Sequence, residues 1–77
     1  MESKMKLVAT VFEVKIKLYN DGVAAPNFFA FYREKMGQFD LETLVMLDGN
    51  LPTATVTIVT EWAENHRDEL WDAWESF

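Results

Sequence analysis

Apolar and polar residues alternate over residues 7–19 for longer than one ordinary strand requires. Most side chains in one phase of the alternation are apolar, whereas Glu13, Lys15 and Lys17 share the other phase. A period of two predicts a strand with one buried face and one solvated face. The segment is therefore either one long strand or two strands joined by a bend near Phe12 and Glu13.

Turn-forming residues divide the next part of the chain into further strands. Residues 20–26 end the first strand, because their Asn-Asp-Gly sequence favours a turn and their proline cannot lie inside a central strand. Residues 27–33 then predict a second strand, and the following turn is expected to end at Gly37, since glycine tolerates positive φ. The remaining predicted strands are residues 38–41 and residues 43–48.

Hydrophobic residues after Pro52 recur every three to four positions, which indicates a helix. These positions are Thr55 or Val56, Val59, Trp62 or Ala63, His66, Leu70, Ala73 or Trp74, and Phe77. The β-branched residues of segment 53–60 favour a strand by propensity, but the periodicity and a proline suited to a first helical turn favour a helix. One continuous helix would be roughly 36 Å long, so a break near Asn65 is an alternative.

The predicted fold is α+β, an antiparallel meander of about four strands packed against one long C-terminal helix, kinked in the alternative reading. The 77 residues are expected to form a single domain, residues 1–77. Cysteine is absent, which excludes disulfides and thiolate chemistry. No apolar run approaches the roughly 20 residues of a membrane span, so we expect a cytoplasmic protein without membrane contact.

Charge is distributed unevenly along the chain. The net charge is −6, and an acidic chain is a poor candidate for the phosphate contacts of direct nucleic-acid binding. Residues 1–37 carry six basic and four acidic side chains, whereas residues 38–77 carry one basic and nine acidic side chains. The C-terminal helix is therefore predicted to be the acidic pole of an electrically polarised molecule.

Five acids of the predicted helix share one narrow face, because at about 100° per residue the other four fall within roughly 60° of Glu61. This acidic stripe consists of Glu61, Glu64, Asp68, Asp72 and Glu75. It is either a solvated face or a surface that imitates a row of phosphates and engages a basic groove on a protein. Trp71 flanks the stripe and either covers the sheet edge or anchors a partner. The candidate partner-binding residues are these five acids and Trp71.

Aromatic rings are expected on both faces of the second strand. Phe29 and Phe31 share one phase of the alternation, and Phe28 and Tyr32 share the other. A single helix cannot cover both faces of a sheet. We therefore expect another molecule, such as a second copy of the chain, to cover part of this apolar surface.

The sequence contains little that catalysis or metal binding requires. His66 is the one histidine of the chain, and Glu69 is its acidic neighbour at helical spacing, but one histidine and one carboxylate do not make a closed zinc site. His66 also falls on the apolar side of the predicted helix, where a packed, hydrogen-bonded role is expected. No nucleophile motif or phosphate-binding loop is present. We expect no enzyme activity, no cofactor and no metal.

The C-terminal half resembles the small bacterial proteins grouped as domain of unknown function 4160. The matching positions are Asp40–Thr43, Asp48–Gly49, Leu51–Pro52, Trp62, Glu64, His66–Arg67, Glu69–Leu70 and Trp74–Glu75. The histidine signature of such proteins, His-x-Pro-Pro-His-x-His, falls on residues 23–29, where this chain has none of the three histidines. The resemblance implies the fold and argues against an enzyme.

Together these patterns favour a non-enzymatic, acidic protein-binding module. The preferred hypothesis is an inhibitor that engages a basic, nucleic-acid-binding surface of a protein partner, as an anti-CRISPR-like acidic mimic from a phage would. The alternative is an antitoxin-like regulatory component whose aromatic strand face pairs with a neighbouring protein. A homodimer is a further expectation for that face, and the expected setting is a bacterial or phage-infected cell.

Overall fold

Five strands lie side by side in one antiparallel sheet in the order of the sequence, and two helices follow them. The computed structural model describes residues 5–77. The strands are β1 Met5–Val11, β2 Val14–Tyr19, β3 Asn27–Tyr32, β4 Lys35–Asp40 and β5 Met46–Gly49, and the helices are α1 Thr53–Glu64 and α2 Arg67–Glu75. The predicted α+β class and antiparallel meander are confirmed. The predicted count of about four strands is one too low, and the single long helix is wrong.

The additional strand comes from a tight hairpin inside the long alternating segment. Val11 pairs with Val14, and the two residues between them, Phe12 and Glu13, have φ values of 47° and 68°. Positive φ at both central residues is what a type I′ hairpin turn requires, and Asn or Gly usually supplies it. The alternative with two strands is therefore correct, but a two-residue turn joins them where a bend was expected.

The turn between β3 and β4 lies earlier than predicted. Arg33 and Glu34 form it, and Arg33 has a φ of 58°. Gly37, which was expected in this turn, lies in the middle of β4 and pairs with Ala30. A Cβ atom at Gly37 would lie 2.8 Å from Leu51 Cδ1. The glycine therefore serves close packing beneath the segment that leads into α1, and the predicted third strand began three residues late.

Asp40 closes the connection between β4 and β5. Its Oδ1 atom accepts hydrogen bonds from the backbone N–H groups of Glu42 at 2.8 Å and Thr43 at 2.9 Å. The Thr43 and Glu42 N–H groups, in that order, lower the pKa of the Asp40 carboxyl from its usual value. Leu44 has a φ of 66° and enters the hydrophobic core. This turn explains why β5 begins later than the predicted strand at residue 43.

The helical region is interrupted at Asn65 and His66, where a break was the alternative prediction. The Asn65 Nδ2 atom donates to the Glu61 carbonyl oxygen at 3.0 Å, and His66 Nδ1 lies 2.7 Å from the Trp62 carbonyl oxygen. Side chains that bond these carbonyls compete with continuation of the backbone helix. The residues of the two helices that are buried are Thr55, Val59, Ala63, Leu70 and Trp74.

One hydrophobic cluster joins the inner face of the sheet to the helices. Its largest members from the sheet are Phe28, Phe39, Ile16 and Leu18, all fully buried. Two long-range hydrogen bonds also hold α2 against the first hairpin. Lys6 Nζ donates to the Ala73 carbonyl oxygen at 3.2 Å, and Asn20 Nδ2 donates to the Trp74 carbonyl oxygen at 3.2 Å. The opposite face of the sheet remains open in the described residues.

Candidate functional site

The acidic stripe is divided between the two helices. Glu61 and Glu64 lie in α1, whereas Asp68, Asp72 and Glu75 lie in α2, and all five are exposed. Angles calculated for one continuous helix do not apply across the break. Within α2 the spacings of four and three residues still place its three acids on one side of the helix. The stripe is therefore two acidic segments on one helical layer.

The two segments differ in how far their charge is compensated. Arg67 binds Glu64 through two nitrogen–oxygen contacts of 3.1 and 3.2 Å, and its third nitrogen donates to the Glu42 carbonyl oxygen at 2.9 Å. Within residues 5–77, no ion pair involves any of the remaining stripe acids, which are Glu61, Asp68, Asp72 and Glu75. Four carboxylates of the stripe thus present charge that no described cation balances.

Trp71 is half-buried and packs against the hydrophobic core. Trp62 is similarly half-buried, and Trp74 is buried. The packing of Trp71 corresponds to the boundary position that the sequence allowed for it. Trp71 directly precedes Asp72 in the chain.

His66 is held by its own helix and by Glu69. Because the Trp62 carbonyl can only accept a hydrogen bond, His66 Nδ1 carries a proton and donates it. The imidazole stacks on the Trp62 ring with centroids 4.5 Å apart and planes 13° apart. His66 Nε2 lies 3.8 Å from a Glu69 carboxylate oxygen. In the part of the chain that the structure describes, no group of three or more His, Asp or Glu side chains is arranged to hold a metal ion.

A second candidate surface is the aromatic face, which consists of Tyr19, Phe29 and Phe31 on the open side of the sheet. The Phe29 and Phe31 rings stack with centroids 6.1 Å apart, and Tyr19 meets Phe29 edge-on at 5.3 Å. Lys17 Nζ lies 5.2 Å from the centre of the Phe31 ring. The predicted separation of the β3 aromatic side chains onto two faces is confirmed, because Phe28 points into the core while Phe29 and Phe31 lie on the other face. Tyr19 was not predicted for this face, although it shares the phase of Lys15 and Lys17.

The family model named Domain of unknown function (DUF4160) matches residues 14–75 of the chain. The protein belongs to the DUF4160 family. No curated protein and no solved structure gave a significant match to the chain. Both helices of the described residues fall short of the length and apolar character of a membrane-crossing helix.

The positions that the resemblance assigns to the DUF4160 histidine signature lie at the aromatic face. Asn27 and Phe29 occupy two of its three histidine positions, and both line a cleft of about 310 Å³ beside Tyr19. Asn27 is buried, and its amide accepts a hydrogen bond from Gln38 and donates one to the Ala25 carbonyl oxygen. The third position, Val23, is exposed. These side chains offer no imidazole nitrogen to a ligand.

Phe12 is a further surface residue that the sequence analysis did not select. Its side chain is 79% exposed at the tip of the first hairpin, and it lines a cleft of about 250 Å³ that also contacts Glu61 and Trp62 of α1. Little in the sequence indicates that Phe12 is exposed, because it continues the apolar phase of the alternation over residues 7–19. The two-residue turn is what directs the Phe12 side chain outward, beside the helical layer.

Proposed function

We propose that this DUF4160 protein is a non-enzymatic protein-binding module whose helical layer engages a basic, nucleic-acid-binding surface of a protein partner. The exposed carboxylates without ion-pair partners in residues 5–77, Glu61, Asp68, Asp72 and Glu75, are the observation that carries the proposal. Occupying such a surface in place of nucleic acid inhibits the partner. The proposed setting is the cytoplasm of a bacterial or phage-infected cell.

The energetics of α2 support a role for its acids in binding. Asp68 and Asp72 are four residues apart on one helix, a spacing at which like charges cost a few tenths of a kcal/mol. Glu75 lies in the last turn of α2, where a negative charge opposes the helix dipole and α2 itself carries no basic side chain there. The one cation that bonds this end of the helix in the described residues is Lys6, on the Ala73 carbonyl oxygen and Ser76. A basic partner relieves both penalties. It also gains association rate from the complementary electrostatic field.

Partner capture at two salt concentrations tests this proposal. We expect the immobilised protein to retain a nucleic-acid-binding partner from host lysate at about 50 mM salt and to release most of it at about 300 mM, because salt screens exposed charges. The double variant Asp68→Lys, Asp72→Lys should fail to capture the partner at either concentration. A matched control, Glu34→Lys with Asp48→Lys, makes the same change in net charge away from the helices and should still bind. Unchanged capture by the α2 variant would refute acidic mimicry.

The alternative function is an antitoxin-like regulatory component that pairs with a neighbouring protein. The specific observation in its favour is the aromatic face, where Tyr19, Phe29 and Phe31 form a contiguous set of rings on the uncovered side of the sheet. Aromatic residues are enriched at the centres of protein interfaces. Co-purification with a neighbouring protein that is lost on Phe31→Asp, but is the same at both salt concentrations, would support this function over the first.

A further inference from the structure

A cleft of about 250 Å³ separates the tip of the first hairpin from the C-terminal end of α1. Its apolar walls come from Phe12 on the hairpin and from Ile58 and Trp62 on the helix, and Glu61 and Asn65 provide polar atoms. The cleft therefore combines aromatic surface with a carboxylate within one small volume. No other element of the described chain fills it.

The electrostatics of the cleft favour a cation. Glu61 has no ion-pair partner among residues 5–77. The C-terminal end of α1 carries the negative end of the helix dipole, and no basic residue occupies its last turn. Arg67 is committed elsewhere, since it binds Glu64 and the Glu42 carbonyl oxygen. His66 also lines the cleft, and its Nδ1–H group donates to the Trp62 carbonyl oxygen.

The aromatic side chains narrow the choice of cation. A guanidinium is planar, stacks on aromatic rings and pairs with a carboxylate through two parallel hydrogen bonds, whereas an ammonium is a compact and strongly hydrated charge. The apolar walls of Phe12 and Ile58 suit the methylene stem of a long basic side chain. An arginine side chain satisfies all three parts of the cleft.

We propose that this cleft binds an arginine side chain of the protein partner, with the stem between the hairpin tip and α1 and the guanidinium beside Glu61. The inference rests on the proposed function, because it specifies which part of a basic partner surface the helical layer recognises. Phe12 and Glu61 are then the residues that determine the specificity of the cleft for arginine. The acids of α2 then contribute general attraction to the remaining basic charge.

The test uses a small probe and requires no partner protein. N-acetyl-arginine amide is titrated into the isotopically labelled protein, and N-acetyl-citrulline amide, which has nearly the same shape without the charge, serves as the control probe. We expect the arginine compound to shift the Trp62 indole N–H signal and the Glu61 and Asn65 amide signals. The indole signals of Trp71 and Trp74 provide internal references that should remain in place.

Three variants test whether the arginine compound binds in this cleft. Glu61→Gln should weaken the arginine compound about threefold, the effect of one exposed ion pair, and Phe12→Asn should weaken it by a similar factor while the protein stays folded. Asp72→Asn removes an equal charge outside the cleft and should bind as the unaltered protein does. The inference is wrong if the citrulline compound shifts the same signals equally, if Glu61→Gln and Asp72→Asn weaken binding alike, or if Phe12→Asn leaves the affinity unchanged.

The outcome is separable from that of the proposed function. If reversing the charges of Asp68 and Asp72 abolishes partner capture but the arginine compound does not bind, the acidic docking surface is supported and the arginine cleft is refuted. If the arginine compound binds but the Asp68→Lys, Asp72→Lys variant still captures the partner, the cleft is supported as an arginine site and the proposed role of the α2 acids is refuted.

Discussion

The helical layer and the open face of the sheet differ in almost every property that governs binding. The helical layer exposes carboxylates of both helices, whereas the open face presents the rings of Tyr19, Phe29 and Phe31 with the cation of Lys17 above them. A complex on the first surface depends on long-range charge and weakens with salt, whereas a complex on the second depends on apolar burial and does not. A chain of 77 residues thus presents two chemically different surfaces on opposite sides of one core.

The two surfaces also differ in how firmly the fold supports them. The aromatic face lies on β2 and on β3, the central strand of the sheet, and both strands are paired on both sides. The helical layer is interrupted at Asn65 and His66, where backbone N–H groups and the two side chains together bond the last carbonyls of α1. We therefore expect substitutions in the helical layer to affect local geometry and substitutions beneath β3 to affect the whole molecule.

The largest expected effect comes from the side chain that supports both surfaces. Phe28 is fully buried and stacks on Phe39 with ring centroids 5.0 Å apart, so Phe28→Ala should cost about 3–5 kcal/mol through the cavity it leaves. Its neighbour Phe29 lies on the open face, and Phe29→Ala should cost about 1 kcal/mol or less. Urea denaturation of the two variants measures the difference. Similar losses in both would contradict the division into an inner and an outer face.

A smaller change should affect the helical layer alone. Arg67→Ala removes the two contacts to Glu64 and the hydrogen bond to the Glu42 carbonyl oxygen, and it should cost about 1 kcal/mol. It also leaves Glu64 uncompensated, so capture of a basic partner should become more dependent on salt. Arg67→Gln, which keeps a donor for the carbonyl, separates the two effects. Thermal unfolding gives the stability, and a salt series of partner capture gives the charge effect.

The first hairpin offers a substitution that should stabilise the protein. Phe12 has a φ of 47°, a conformation that Asn adopts more readily than an aromatic residue. Phe12→Asn should therefore add about 0.5–1 kcal/mol to the free energy of unfolding, although it removes a wall of the cleft. Thermal unfolding measures this change. A loss of stability would instead show that Phe12 supports the hairpin and is not retained for binding.

The smallest expected effect concerns pH and the turn after β4. The lowered pKa of Asp40 means that the folded state favours its carboxylate. Its contribution to stability is therefore present above the pKa of the unfolded chain and is lost as the pH falls through the lower, folded pKa. Asp40→Asn keeps an acceptor oxygen but no charge, so its melting temperature should approach that of the unaltered protein under acidic conditions. A constant difference across the pH series would contradict this origin.

The sequence predicted the parts of the fold that depend on hydrophobic period. The alternation in β2 and β3 correctly separated buried from outward positions, and the period after Pro52 correctly overruled the strand propensity of α1. The turns were less predictable, because they use residues with unfavourable intrinsic preferences. Phe12, Arg33 and Leu44 adopt positive φ without being Gly, Asn or Asp, while Gly37 lies within a strand. Core packing accounts for Leu44 and Gly37, which are buried. The short hairpin connections account for Phe12 and Arg33, which are exposed.

The surfaces were predicted to different extents for a similar reason. The acids of the stripe were found from composition and spacing, because exposure depends little on the rest of the fold. Their division between two helices was only the alternative prediction, because hydrophobic period alone does not show that the side chains of Asn65 and His66 bond carbonyls of their own helix. The cleft at Phe12 joins residues about 50 positions apart in the chain. A single sequence carries no periodic signal for such a contact.

The order of the strands has a consequence for how the molecule assembles. Each strand pairs with its immediate neighbour in sequence, so the successive hairpins can form early and rapidly. The inner side of these hairpins is exposed to solvent until the helices pack against it. That packing joins distant parts of the chain, because the hydrogen bonds from Lys6 to Ala73 and from Asn20 to Trp74 span 67 and 54 positions. We therefore expect the meander to form before the helices cover its inner face.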